Sequence, residues 1–147
     1  MTRLDDRMVL NSIIFLNRRL RKAFDSRASA MGLTFARAQA LLQIARTEGS
    51  SQTELAEALK IETPTLNRTL DSLEQTGFIE RRAVEGDRRV RRVFLTDLSK
   101  DKAKDILEYT NTLRHELFHD LSDGEFEQLY ELVSRLHVNL DDMAKNA

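Results

Sequence analysis

Residues 51–96 read SQTELAEALKIETPTLNRTLDSLEQTGFIERRAVEGDRRVRRVFLT, and the fold turns on this stretch. Ser51-x-x-Glu54 has the spacing of a capping box, in which a hydroxyl and a carboxylate satisfy free N–H groups at a helix start. The short helix it opens carries Leu55, Ala56 and Leu59, and Ile61 sits in a tight turn. A second helix is predicted from about Thr63 to Thr76. Pro64 fits its first turn, where a missing N–H costs nothing. Leu66, Leu70 and Leu73 form its buried stripe, and Gly77 ends it. Phe78–Arg82 and Arg91–Leu95 then read as two short strands around the turn chemistry of Glu85-Gly86-Asp87, hence a hairpin. Thr96 is placed to cap the next helix.

Upstream, Val9, Ile13, Leu16, Leu20 and Phe24 recur at helical spacing, and Ile14 and Phe15 widen that apolar face. A face so wide predicts packing against more than the helix's own domain. Gly32 ends this helix, and Thr34 can cap another with Phe35, Ala38, Leu41, Leu42 and Ala45 as its stripe. Downstream, Ile106, Leu113, Leu117 and Leu121 mark one helix. Ser122-x-x-Glu125 is a second capping box, and Phe126, Leu129, Val133, Leu136, Leu140 and Met143 alternate at 3 and 4 as a heptad seam. The expected class is mainly α with a small β-hairpin. Its expected parts are an N-terminal helix (1–31), a middle domain (32–96) and a C-terminal helical region (97–147).

Composition narrows the function. Only five glycines and one proline in 147 residues argue against an all-β sandwich or barrel. The absence of cysteine excludes disulfides, thiolate zinc sites, a cysteine nucleophile and thiol redox sensing. Met1-Thr2-Arg3-Leu4-Asp5-Asp6 is charged, unlike a signal peptide. The apolar stretch Met8–Leu16 is too short to span a bilayer, so a cytoplasmic protein is expected. The net charge of −1 conceals a segregation. Residues 81–92 hold Arg81, Arg82, Arg88, Arg89, Arg91 and Arg92 against Glu85 and Asp87, whereas residues 93–147 hold six basic and twelve acidic side chains. The arginine cluster is an electrostatic footprint for phosphate, or else a solvated charged hairpin.

Two helices joined by a tight turn and followed by a basic hairpin form the winged helix-turn-helix arrangement. With Leu66 inward, Pro64, Arg68, Asp71 and Gln75 point outward, flanked by Thr65, Asn67 and Ser72. Arginine pairs bidentately with guanine, asparagine with adenine, and a threonine methyl can touch thymine. Arg88 and Arg89 fall at the hairpin tip, where arginine can enter a narrow minor groove. The alternative on these residues is a protein-interaction module whose arginine hairpin meets an acidic partner.

His115-Glu116-Leu117-Phe118-His119 spells H-E-x-x-H, which on a helix sets two histidines one turn apart beside a carboxylate. The alternative function is therefore zinc binding or a small zinc hydrolase using His115, Glu116 and His119, with His137, Glu127 or Glu131 offered as a third ligand. Against it, the motif closes an apolar helix and no second lobe remains to form a substrate cleft. No Gly-rich phosphate loop and no G-x-S-x-G occurs, and no cofactor is expected.

The chain also resembles the MarR family of transcriptional regulators along nearly its whole length. Gly32-Leu33-Thr34-Phe35 with Gln39 and Leu42 is similar to the family's second-helix signature. Residues 61–74, IETPTLNRTLDSLE, resemble its recognition helix and look closest to the SlyA-like branch. Gly77-Phe78-Ile79, Asp87-Arg88-Arg89 and Leu95-Thr96 resemble its wing and wing exit. The resemblance implies a homodimer, triangular in outline, with the first and last two helices as its dimer lobe. It implies double-stranded DNA as partner, a pseudo-palindromic operator with one recognition helix per half-site. A repressor or dual regulator is expected, with a small-molecule pocket between the lobes for phenolic or other aromatic carboxylates. DNA contacts are expected from Thr63, Pro64, Thr65, Asn67, Arg68, Asp87, Arg88 and Arg89, with Asp87 bracing the wing. Two departures stand out: Ser99 and Lys100 where the family usually has glycine, and Glu62 where serine is common, which leaves capping to Thr63.

Overall fold

The computed structural model describes residues 3–147, with the side chain of Arg88 outside the described set. Six helices and one hairpin follow in the order α1 (Asp6–Ala30), α2 (Phe35–Arg46), α3 (Gln52–Leu59), α4 (Thr63–Gln75), β1 (Ile79–Val84), β2 (Asp87–Leu95), α5 (Asp97–Phe118) and α6 (Asp123–Lys145). The chain forms two compact units, residues 1–108 and 109–147, the division falling within α5.

The first unit is built on leucine stripes. Leu66, Leu70 and Leu73 of α4 are fully buried, together with Leu41 and Ile44 of α2 and Leu55 of α3. Ile79 and Val93 from the hairpin and Ile106 from α5 complete this core. Truncating any such leucine to alanine costs about 2–5 kcal/mol, because the lost transfer free energy adds to that of the cavity left behind. On α2 the stripe is shifted from the expected one: Ile44 is buried and Ala45 exposed. The bulkier side chain takes the core position.

Caps set the helix starts. Asp5, Thr34 and Ser51 accept hydrogen bonds from the backbone N–H groups of Met8, Arg37 and Glu54. α4 differs: its N-cap is Glu62 and no side chain caps it, so Thr63 does not supply the expected cap. Thr63 is itself the first helical residue, with Pro64 behind it. Lys60 ends α3 in the left-handed conformation (φ 54°), and Ile61 N–H bonds back to the Ala56 carbonyl. That reversal aims α4 out of the turn.

The strands are longer than expected, because the turn narrows to Glu85-Gly86, with Gly86 at φ 91°. Pairing is regular from Ile79↔Leu95 to Ala83↔Arg91, then jumps to Val84↔Asp87. Residues 88–90 therefore bow out of the ladder as a bulge at the tip. The hairpin base is stitched to the α2–α3 loop. Gly49 N–H bonds to the Val93 carbonyl (2.9 Å), Val93 N–H to the Ser50 carbonyl (3.0 Å), and Arg92 Nη1 to the Gly49 carbonyl (2.8 Å). Thr96 does not cap α5: its hydroxyl donates to the carbonyls of Gly77 (2.6 Å) and Phe78 (3.3 Å). It ties the hairpin exit to the end of α4 instead.

In α1 only Phe24 and Ala28 are buried. Phe24 meets Phe35 edge-on at 5.1 Å, and Asp25 accepts from Phe35 N–H at 3.0 Å. The other end of α1 leaves Val9, Ile13, Ile14, Phe15 and Leu16 exposed. In the second unit Ser122 and Glu125 form a complete capping box, and Phe118 meets Phe126 edge-on at 5.3 Å. No residue of α6 is buried, so the whole heptad seam from Phe126 to Met143 is exposed. Leu121 lies beyond the end of α5 rather than on its stripe. Among the described residues, no helix is long and apolar enough to cross a membrane.

Candidate nucleic-acid interface

The three buried leucines of α4 fix which side of that helix meets solvent. Thr63, Pro64, Thr65 and Arg68 are exposed, as the helical wheel requires. Thr65, Arg68, Ser72 and Gln75 thus lie on a rod narrow enough for a major groove. Asn67 is only half-buried and already engaged: its Oδ1 accepts from Gln52 Nε2 at 3.0 Å.

The six arginines of residues 81–92 divide by task. Arg81 points inward, its side chain 12% exposed. Its Nε donates to Glu74 Oε2 (3.2 Å), its Nη2 to Asp71 Oδ1 (2.5 Å) and its Nη1 to Gln52 Oε1 (3.3 Å). Its backbone N–H also donates to Glu74 Oε2, at 3.1 Å. Arg82 pairs with Glu80 and covers the Phe94 ring at 4.1 Å. Arg92 is held by Gly49. Arg89 and Arg91 are exposed at and beside the bulge. Asp87 Oδ1 accepts from Arg89 N–H at 2.9 Å, an Asx-type turn that shapes the wing tip. The expected Arg88 contact falls on a side chain outside the described residues.

Arg81 was legible only as part of a basic run, although strand alternation carried a signal. Ile79 is buried, and residues two apart in a strand share a face, which places Arg81 inside with it. The Arg81 hydrogen bond holds the Glu74 carboxyl below its ordinary range, against a smaller upward push from partial burial. The same bond to Glu74 raises Arg81, with Asp71 adding to it and desolvation opposing. The pair is thus ionised at neutral pH. It ties α4 to β1 and, through Gln52, to α3.

The H-E-x-x-H segment does not make a zinc site here. α5 ends at Phe118, so His119 stands in the following turn, with Nδ1 2.9 Å from the Glu116 carbonyl oxygen. Among the described residues no group of three or more His, Asp or Glu side chains could hold a metal ion. The third ligand offered by His137, Glu127 or Glu131 is not brought to His115 and His119, and the zinc reading is not supported.

A helix-turn-helix core with α4 exposed beside a stitched hairpin defines a winged-helix protein. A model of the MarR family matches residues 31–90. The transcriptional regulator PA3341 is 31% identical, with 90% of this chain and 98% of that one covered, at a TM-score of 0.74. The transcriptional regulator SlyA is 23% identical, over 91% of this chain and 94% of its own, at 0.82. S. aureus MepR, solved as a DNA complex, is 20% identical, over 88% and 96%, also at 0.82. The chain belongs to the MarR family of transcriptional regulators. The last two likenesses, below a quarter identity, are likenesses of fold.

Proposed function

We propose that this chain acts as a cytoplasmic homodimer that binds a pseudo-palindromic operator and regulates transcription, as a repressor or dual regulator. The observation that carries this reading is the exposed face of α4 held beside the basic wing by an internal network. Thr63, Pro64, Thr65, Asn67 and Arg68 serve the major groove. Arg88 and Arg89 serve the minor groove or its phosphates, with Asp87 shaping the loop that carries Arg89. MepR, whose fold this chain shares, is a protein solved with DNA bound, which supports the assignment. The protein works by binding, with no catalytic residues.

The exposed apolar side chains of α1 and of the α6 seam support the dimer. A surface this apolar is rare on monomers and common where two chains meet. The dimerisation regions are thus proposed as 1–31 and 97–147, around a DNA-binding domain at 32–96. An effector also has a place to sit. Leu42, Ala45, Leu95, Ala103 and Leu107 line a hollow of about 230 Å³, with Arg46, Lys100 and Lys104 also on its walls. Its wall is almost wholly apolar, the basic residues lining it with their aliphatic stems, so the hollow suits one small apolar ring.

The test is a fluorescence-anisotropy titration against two duplexes, the intergenic sequence upstream of the gene and a scrambled control, each at two salt concentrations. Tighter binding to the first at physiological salt is expected. Equal, salt-sensitive binding to both would remove sequence specificity at that site. No binding to either, by protein freed of effector, would overturn the reading.

A further inference from the structure

Arg81, Gln52 and Asn67 form one chain of hydrogen bonds from the base of the wing to the flank of the recognition helix: Arg81 Nη1 to Gln52 Oε1, then Gln52 Nε2 to Asn67 Oδ1. Amide groups can usually turn either end to a partner, but this chain has a direction. Guanidinium only donates. Arg81 is held in place by Glu74 and Asp71, so the end of Gln52 that faces it must be the oxygen. The Gln52 nitrogen is then left for Asn67, and Asn67 must answer with its oxygen. Its Nδ2–H₂ is the end left over.

We propose that Arg81, acting through Gln52, sets Asn67 as a hydrogen-bond donor at the DNA surface and thereby determines its base preference. This rests on the operator-binding reading above. An asparagine that reads adenine bidentately needs its oxygen to accept from adenine N6, and here that oxygen is already bonded to Gln52. The remaining Nδ2–H₂ suits guanine, whose O6 and N7 are both acceptors in the major groove. At the base pair facing Asn67, guanine is preferred to adenine. Arg81 and Gln52 are positioning residues: neither has to touch DNA.

Gln52→Glu reverses the direction with almost no change of shape. At pH 8 a carboxylate accepts from Arg81 and has only acceptors left for Asn67. Asn67 then turns its nitrogen inward and its oxygen outward, and favours a base that donates, adenine N6 or cytosine N4. The experiment selects binding sites from a pool of duplexes randomised over 20 base pairs, using the wild type, Asn67→Ala and Gln52→Glu. Single-pair variants of the selected site are then titrated by anisotropy. One position should favour guanine over adenine by about five- to tenfold in the wild type. It should lose that preference in Asn67→Ala and reverse it in Gln52→Glu. Retention of the guanine preference by Gln52→Glu at the position that Asn67→Ala loses would overturn the relay. No change at any position in Asn67→Ala would remove Asn67 from readout while leaving a specific regulator. No preference at all in the wild type would overturn both readings. Should Gln52→Glu fail to fold, side-chain amide NMR of the wild type decides. The Gln52 amide protons should exchange with water more slowly than those of Asn67, and the opposite order overturns the relay.

Discussion

Replacing Arg81 with methionine isolates the polar work of this side chain, because methionine keeps the packing of the aliphatic stem. What disappears is the guanidinium with its bonds to Glu74, Asp71 and Gln52. The expected cost lies between two limits. An exposed ion pair contributes about 0–1 kcal/mol, whereas a desolvated hydrogen bond to a charged group contributes about 1.5–3 kcal/mol. Arg81 is 12% exposed, Glu74 39% and Asp71 59%. The Asp71 pair belongs near the lower limit, and the Glu74 pair between the two, since one of its ends is buried. Adding about 1 kcal/mol for Gln52 gives roughly 2–3 kcal/mol in all. For a chain of 147 residues this is a fall of about 6–12 °C in Tm. Urea denaturation of Arg81→Met at fixed protein concentration checks it, with the midpoint lowered and the slope unchanged. A loss under about 0.5 kcal/mol would refute the reasoning, since Arg81 would then contribute no more than an exposed ion pair.

The same pair gives a pH dependence. Glu74 is held below its ordinary value of 4.5 in the folded chain, so its contribution is present above that value and lost as pH falls through the lower, folded one. Wild type should therefore lose more stability than Arg81→Met between about pH 5 and pH 3, and parallel curves would remove the Glu74 pair as the cause. Arg68→Ala should weaken operator binding by about 1–3 kcal/mol and relax specificity at one base pair; an equal loss on random DNA would contradict base readout. Arg89→Ala should lower the slope of log affinity against log salt by about 1, and an unchanged slope would take Arg89 off the phosphates. Ile13→Asp on the exposed face of α1 should shift sedimentation from dimer to monomer and weaken operator binding with it, and an intact dimer would place the interface elsewhere.

Most of the architecture was legible because it depends on local rules. Helix periodicity put Leu66, Leu70 and Leu73 in the core, and all three are fully buried there. Three of the cap residues read from spacing, Thr34, Ser51 and Ser122, do cap their helices, and Gly86 takes the positive φ that its turn needs. Where a residue had two uses, local rules failed. Thr96 had the right position for a cap, but two carbonyls from a distant turn came within reach of its hydroxyl. Ala45 fitted the α2 stripe as well as Ile44, and volume decided between them.

The sequence by itself therefore determined the order of the elements, their buried faces, the location of the recognition helix and wing, and the family. Each follows from neighbours a few residues apart along one chain. Only the tertiary structure decided which charges remain for a partner. Arg81, Arg82 and Arg92 look like Arg89 and Arg91 in sequence, yet three of the five are engaged by carboxylates, a ring or a carbonyl brought in by folding. Asn67 changed in the same way, from a free amide to one whose oxygen is held by a residue fifteen positions away. Hydrogen-bond direction and charge neutralisation depend on distances in space, and a composition or a helical wheel does not contain them.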